Sequence, residues 1–393
     1  MRLRTIQDMK SLHGKRVLVR SDFNVDIEDG KILDGERVKR ALPTYRYLLS
    51  KNAVVVAMSH LGRPTGVQKK FTLAPVARDL SRRLGKDVFF VSDCVGQEVE
   101  KIIRDAAPGT LFVLENTRFY EEDQAGNMNF ARKLSRLADI FVADAFGTAH
   151  RGDASVAGVA KFLPTYAGLL MNEEIVHIDS FVKNPKRPYT FLIGGAKLET
   201  KIDLIHELLE TADHVLVGGA LANTFLHVLG YKMGKSQIDI DCLDEVKDAF
   251  NNVIGHPGRL VLPVDFRVAK SRKAQSAKVV AANQVPRDAM TLDIGPKTEK
   301  LFSEYITKSK TLVFNGAMGV FENPVFARGT RNLYRHIARS KARTLAGGGE
   351  TILALDDWKF SKKIDYISTG GGAMLTYIEG AKMPGIQVIP RIK

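Results

Sequence analysis

What most constrains the fold of this chain is a succession of short, almost unbroken apolar runs separated by stretches with helical spacing. In the first half the runs are 16–23, 53–58, 87–92, 110–115 and 139–145. In the second half they are 189–193, 214–217, 259–264, 311–314, 343–346 and 365–368. Strands that are apolar on both faces belong to parallel sheets covered by helices on both sides. The stretches 74–84 and 130–137 supply such helices. A chain of 393 residues exceeds one typical domain. The sequence therefore predicts an α/β fold of two doubly wound, Rossmann-like parallel-sheet domains joined by a hinge helix. The helix is expected over 173–181, with apolar Ile175, Ile178 and Phe181. It is stopped by Asn184-Pro185-Lys186-Arg187-Pro188, because proline cannot continue a helix interior. The expected division is a first domain over 1–170, a connector over 171–188 and a second domain over 189–372. The end, from Met383 to Lys393, reads as extended.

The net charge of +14 invites a nucleic-acid reading, but its distribution argues against one. Residues 1–170 hold 27 Lys+Arg against 20 Asp+Glu, and residues 171–393 hold 31 against 24, so each half carries the same excess of 7. There is no basic tail or low-complexity arm. The local stripe Arg328, Arg331, Arg335 and Arg339 reads as one solvated helix face. Diffuse positive charge suits the attraction of anionic metabolites. Cys94 and Cys242 form no metal spacing or disulfide framework, which suits a reducing cytoplasm. No apolar run reaches the roughly 18 residues of a membrane span, and 1–10 has no signal-peptide pattern.

Ligands of open α/β sheets bind beyond the carboxyl ends of the strands. Those ends differ between the halves. The first half offers Asp22-Phe23-Asn24, His60-Leu61-Gly62-Arg63, Arg118 and His150-Arg151, with Arg37 at the start of the first helix. Guanidinium forks match phosphate and carboxylate in a bidentate way, so this half suits an acid with more than one anionic group. The second half offers Gly194-Gly195, Gly218-Gly219, Gly347-Gly348-Gly349-Glu350-Thr351 and Gly370-Gly371-Gly372. Glycine lets phosphate oxygens reach backbone N–H groups at helix starts. Lys197 and Lys201 are expected on one helical face beside the first pair, where phosphate would offset their clash with the helix dipole. The chain contains no Walker A motif and no GxGxxG fingerprint, which disfavours P-loop NTPases and ordinary dinucleotide dehydrogenases.

In order and spacing, RVLVRSDFNV, SHLGRP, ENTRFYEED, DAFGTAHR, GGAKLETKI, VGGALANTFL, DIGPKT, FNGAMGVFE, GGGET and STGGGA resemble the phosphoglycerate kinase family over essentially the whole chain. The resemblance implies reversible phosphoryl transfer from 1,3-bisphosphoglycerate to MgADP, giving 3-phosphoglycerate and MgATP. It implies that Asp22, Asn24, Arg37, His60, Arg63, Arg118, His150 and Arg151 hold the glycerate substrate. Gly195, Lys197, Lys201, Gly219, Asn315, Val320, Glu322, Gly348, Gly349, Glu350 and Thr351 would hold the nucleotide. Glu350 is the candidate Mg²⁺ ligand, and Glu322 would bond the ribose. Arg37 and Lys197, with the amides around Gly371 and Gly372, are expected to stabilise the transferring group. The resemblance also implies a monomer with hinge closure and a tail, 373–393, that returns to the first domain.

The chemistry needs positioning and charge neutralisation rather than a general base, since a carboxylate acceptor is already ionised at neutral pH. The chain departs from the family's usual residues at Asp26, Asp153, Phe314, Ala317, Glu350, Met374 and Thr376. The family usually carries a histidine where Asp153 stands and an aspartate where Glu350 stands. These two changes motivate an alternative, a degenerate member that binds nucleotide without efficient transfer.

Overall fold

A computed structural model describes residues 2–256 and 258–392. Met1 and Lys393, the outer ends of the expected first domain and tail, lie outside them. The chain forms two compact units: one runs up to Val176 and includes the residues from Ala381 on, and the other is His177–Gly380. The division falls inside the helix Leu169–Val182.

The first unit is built on six parallel strands: β1 (Arg16–Ser21), β2 (Val54–Met58), β3 (Phe89–Val91), β4 (Leu111–Leu114), β5 (Ile140–Asp144) and β6 (Thr165–Ala167). Their spatial order is β3-β4-β2-β1-β5-β6. The chain therefore starts in the middle, builds outward through β2, and crosses to the other side of β1 only at β5. The gap between β1 and β5 is the switch point at which such sheets hold ligands. Apart from the edge strand β3, whose Phe89 is exposed, the strands are buried on both faces, as the unbroken apolar runs require; β2 is buried throughout its length. Helix Glu36–Ser50 lays Val38, Ala41, Leu42, Tyr45, Leu48 and Leu49 on the sheet. Helix Ala74–Leu84 matches its expected span, opening with Pro75 in its first turn and closing at Gly85 with φ 64°. The edge strand β6 was not visible in the sequence.

The tail joins the first unit only from Ala381 on; residues 373–380, expected to return with it, belong to the second. Arg391–Ile392 pairs antiparallel with Arg2–Leu3. The segment before it is not extended throughout: Pro384–Gln387 forms one helical turn, opened by the proline. Gly385 donates its N–H to the Ala149 carbonyl at 2.8 Å. A side chain there has no room, since a Cβ would lie 2.9 Å from Val156 Cγ1 and 2.9 Å from Ala149 Cα. Gly385→Val is expected to destabilise the protein by about 2 kcal/mol through overpacking, read as a lower denaturant midpoint in equilibrium unfolding.

The second unit repeats the plan with β7 (Tyr189–Ile193), β8 (His214–Val217) and β9 (Leu260–Val261), followed later by β13 (Thr311–Asn315), β14 (Arg343–Gly347) and β15 (Tyr366–Ile367). The order is β9-β8-β7-β13-β14-β15, so its switch point lies between β7 and β13. Between β9 and β13 the chain inserts a second sheet, antiparallel and three-stranded: β10 (Asp265–Ala269), β11 (Lys278–Ala281) and β12 (Met290–Ile294), with β10 in the centre. The expected parallel sheet is present, and this smaller antiparallel sheet is an addition to it. β10 and β12 escape the apolar-run criterion because they carry charge inward. Arg267 on β10 is buried, and its guanidinium reaches Glu299 at 2.6 Å and Asp293 on β12 at 3.5 Å.

Candidate active site

At the carboxyl ends of β1, β2, β4 and β5 the first unit links its charged residues through short contacts. Arg37 Nη1 lies 2.7 Å from Asp22 Oδ2. Asp22 Oδ1 accepts the Asn24 N–H at 3.2 Å, and Asn24 Oδ1 accepts the Gly62 N–H at 2.8 Å. The Gly62 carbonyl then accepts Arg118 Nη1 at 2.8 Å. Gly62 has φ 64°, and a Cβ there would lie 2.4 Å from the Phe71 ring. The turn that carries Arg63 therefore requires glycine. Arg63 itself is exposed.

One residue of this cluster escaped the sequence reading. Arg20 sits within β1 and is 1% exposed. A charge inside an apolar strand was the signal available. Its guanidinium donates to Ser155 Oγ at 3.2 Å and to the Ser21 carbonyl. It also meets His60 Nδ1 at 3.1 Å. An arginine can only donate, so His60 Nδ1 accepts and the ring proton lies on Nε2. Burial, with Arg20, Arg118, Arg151 and Arg37 adding their positive field, holds the His60 pKa well below its ordinary value. One neutral imidazole thus stands in the positive field of four guanidinium groups, with Arg20 in direct contact. Burial and Arg151 likewise depress the His150 pKa. The His150 ring lies 3.5 Å from Arg151 Nε.

Several buried donors in this cluster have no partner among the described residues: Arg118 Nε, Arg151 Nη1 and the His150 Nδ1 position. An unpaired buried polar group costs about 1–3 kcal/mol, so the cluster is built for something that satisfies it.

In the second unit the switch point is closed by one lysine. Lys201 Nζ donates to the Gly194 carbonyl, which follows β7, at 2.5 Å, and to Asn315 Oδ1, which ends β13, at 3.0 Å. Asn315 Nδ2 donates to the Gly347 carbonyl at 2.6 Å. Burial lowers the Lys201 pKa to about 8, with Glu350 pulling the other way. Gly348 has φ 100° and caps the helix Gly349–Asp357. A Cβ on Gly348 would lie 2.4 Å from Asn315 Nδ2. Thr351 is fully buried, and its hydroxyl accepts the Gly316 N–H at 2.7 Å, so it fixes the turn after β13. The helix Ile202–Thr211 begins only after Lys201, so Lys197 is not on a helical face shared with Lys201. The Leu198 N–H, held by Asp239 Oδ2 at 2.5 Å, keeps that segment in a turn, and Lys197 is exposed.

A cleft beside this point is lined by Gly195, Gly219, Val320, Glu322 and Glu350. Its other wall includes Phe266, Thr291 and Leu292, from the antiparallel sheet, together with Arg272. These wall residues are not legible in the sequence, because the strands that carry Phe266, Thr291 and Leu292 form no unbroken apolar run. Gly219, with φ 65°, passes so close that a Cβ would lie 2.7 Å from the Gly195 carbonyl oxygen. Gly371 has φ 55° and precedes the short helix Gly372–Ile378, and nothing lies within 4 Å of a Cβ built on Gly371 or Gly372.

A sequence model of the phosphoglycerate kinase family matches residues 6–381. The chain belongs to the phosphoglycerate kinase family. It is 44% identical over 393 residues to a protein named phosphoglycerate kinase from Dictyoglomus turgidum, covering 99% of each chain. It is 44% identical over 384 residues to that of Moorella thermoacetica, covering 97% of this chain and 98% of the other. The solved phosphoglycerate kinase of Coxiella burnetii superposes with a TM-score of 0.87 at 38% identity, and that of Pyrococcus horikoshii with 0.84 at 32%, each covering 98% of both chains. Membership of the phosphoglycerate kinase family makes this chain a phosphotransferase with a carboxyl group as acceptor. Nothing in these comparisons supports a degenerate member. No helix among the described residues is long and apolar enough to cross a membrane.

Proposed function

We propose that the first unit holds the glycerate substrate and the second holds ADP or ATP, for reversible phosphoryl transfer between 1,3-bisphosphoglycerate and the nucleotide. The observation that carries this reading is the set of buried, unpartnered donors on Arg118, Arg151 and His150, in the cluster that also holds a neutral His60. A phosphate-bearing acid supplies the missing acceptors. Asp22, Asn24, Arg63 and His60 complete the binding face, with Arg20 buried behind His60 and His60 Nε2 as a neutral donor. Arg37, half-exposed beside Asp22, is the group that meets the transferring phosphoryl.

Gly195, Gly219, Val320 and Glu322 form the nucleotide cleft, while Lys201, Asn315, Gly348, Gly349 and Thr351 shape its phosphate end. Lys197 and the amides at Gly371 and Gly372 are unencumbered and serve the moving group. Donor and acceptor must lie in line, and the protein's work is orientation and charge neutralisation. The cationic cluster at no point needs to move a proton, because the acceptor oxygen is already ionised.

The residues present fit Mg²⁺. Among the described residues no group of three or more His, Cys, Asp or Glu side chains could hold a metal. Glu350, exposed on the cleft beside Lys201, offers a single carboxylate. That is the donor set expected for Mg²⁺ carried mainly by nucleotide phosphates. When bound, the ion neutralises phosphate charge. Glu350→Gln is expected to raise the Mg²⁺ concentration for half-maximal rate by about tenfold, since one charged ligand becomes neutral. The decisive measurement is ATP formation from ADP and 1,3-bisphosphoglycerate by the purified protein, repeated across a Mg²⁺ titration; no ATP formation would refute the reading. The protein is proposed to act in the cytoplasm, as a monomer.

A further inference from the structure

Asp153 is a carboxylate in the middle of the basic cluster. It is 6% exposed, follows Arg151 by two residues, and opens the short helical stretch Ala154–Gly158. Its Oδ2 lies 3.7 Å from Arg118 Nη2, too far for a hydrogen bond, and has no hydrogen-bond partner among the described residues. Arg118 is 5% exposed, and its Nε is likewise unpartnered. Two buried, opposite charges thus stand close with neither one's hydrogen bonds complete. A pair made for stability alone would have better geometry, because burial costs several kcal/mol per ion unless the remaining bonds are satisfied.

We propose that Asp153 is an internal placeholder for the substrate's anion: it neutralises Arg118 while the site is empty, and takes up a proton from solvent when the phosphate-bearing acid displaces it. This rests on the assignment of the glycerate substrate to the first unit. The charged groups facing Asp153 come from four places. They are Arg20 on β1, Arg118 on the turn Thr117–Phe119, Asp123 on the short helix Glu121–Gln124, and Arg151 just ahead of it. Burial and Asp123 already raise the Asp153 pKa, against the three arginines. Asp123 is itself occupied, accepting from Thr117 and from Ser155 N–H at 2.9 Å. An arriving anion adds a second negative neighbour to Asp153, so the carboxyl pKa rises further and binding takes up a proton. The same step costs affinity wherever Asp153 begins ionised. Affinity therefore improves as pH falls toward the free-protein pKa of Asp153.

The test is calorimetric binding of 3-phosphoglycerate to the full-length protein and to Asp153→Asn, in two buffers of different ionisation enthalpy. The asparagine variant is expected to bind about tenfold more tightly at about pH 8, for about 1.4 kcal/mol. Its advantage should shrink as pH falls, and it should take up fewer protons than the parent. The phosphate's own titration is common to both proteins and cancels in their ratio. Equal or weaker binding by a folded Asp153→Asn, or equal proton uptake, overturns the proposal. If Asp153→Asn fails to fold, as judged by near-UV circular dichroism, Asp153→Ala carries the same expectations. Arg151→Ala separates the two levels of the argument. Loss of binding in Arg151→Ala with no change in Asp153→Asn refutes the placeholder alone. No change in either variant refutes the substrate assignment and the placeholder together.

Discussion

Arg37→Ala is expected to lower the maximal rate of ATP formation on the order of a thousandfold while leaving ADP affinity within about a factor of two. Arg37 is the second residue of the helix Glu36–Ser50, where a cation opposes the positive end of the helix dipole. It must be held there by negative charge. In the free protein Asp22 does this at 2.7 Å, yet 37% of the Arg37 side chain stays accessible. Phosphoryl transfer spreads charge over the equatorial oxygens of the moving group, and an arginine aimed at that charge is worth three to five powers of ten in rate. Arg37 lies in the first unit, whereas every residue assigned to the nucleotide lies in the second. The loss therefore falls on turnover and not on ADP binding. Arg37→Lys should recover little, because a lysine cannot present two parallel donors. Steady-state kinetics with an independent ADP titration decides it. Weakened ADP binding with a normal maximal rate would place Arg37 in the wrong role.

How much of this could be read from the sequence depends on what each residue faces. The buried parallel strands were legible because both faces are covered, so runs such as 54–58 and 111–114 carry no polar residue. Helix Ala74–Leu84 was legible because proline and glycine mark both its ends. The antiparallel insertion was not legible. In β10 and β12, Arg267 and Asp293 are buried partners that read as surface charge in one dimension. The site shows the same limit. Strand-end residues such as Asp22, His60 and Arg118 could be picked out because sheet topology brings strand ends together. Arg20 could not, since its partners Ser155 and His60 are 135 and 40 residues away. Lys197 and Lys201 illustrate the converse error. A four-residue spacing suggested one helical face, but the helix begins only at Ile202, and Leu198, next to Lys197, is tied to Asp239 instead.

Lys201→Met is expected to weaken ADP binding by about a hundredfold at about pH 7, the worth of a buried charge-assisted contact to phosphate. Among the described residues, Lys201 is the one side chain that bonds both sides of the second unit's switch point, through Gly194 and Asn315. Both of those partners are neutral, so the ammonium has positive charge to spare for phosphate, with Glu350 as its named electrostatic neighbour. The pH dependence has a definite sign. Burial lowers the Lys201 pKa to about 8, so the charged form is fully present below that pH and is lost as pH rises through it. Phosphate restores the pKa toward its ordinary value, so binding takes up a proton at about pH 8 and above, and ADP affinity falls across that range. The methionine variant should lack this fall. Stability moves the other way. A lysine whose folded pKa lies below its unfolded one carries a cost that is complete below the folded pKa and disappears as pH rises toward the unfolded value. Removing it at about pH 7 sheds that cost while losing two hydrogen bonds. The melting temperature of the ligand-free variant should therefore change little, although nucleotide binding collapses. Calorimetric ADP titrations from about pH 6.5 to about pH 9.5, paired with thermal melts, read both effects. A large fall in melting temperature, or an unchanged pH profile of binding, would assign Lys201 to the scaffold instead of the phosphate.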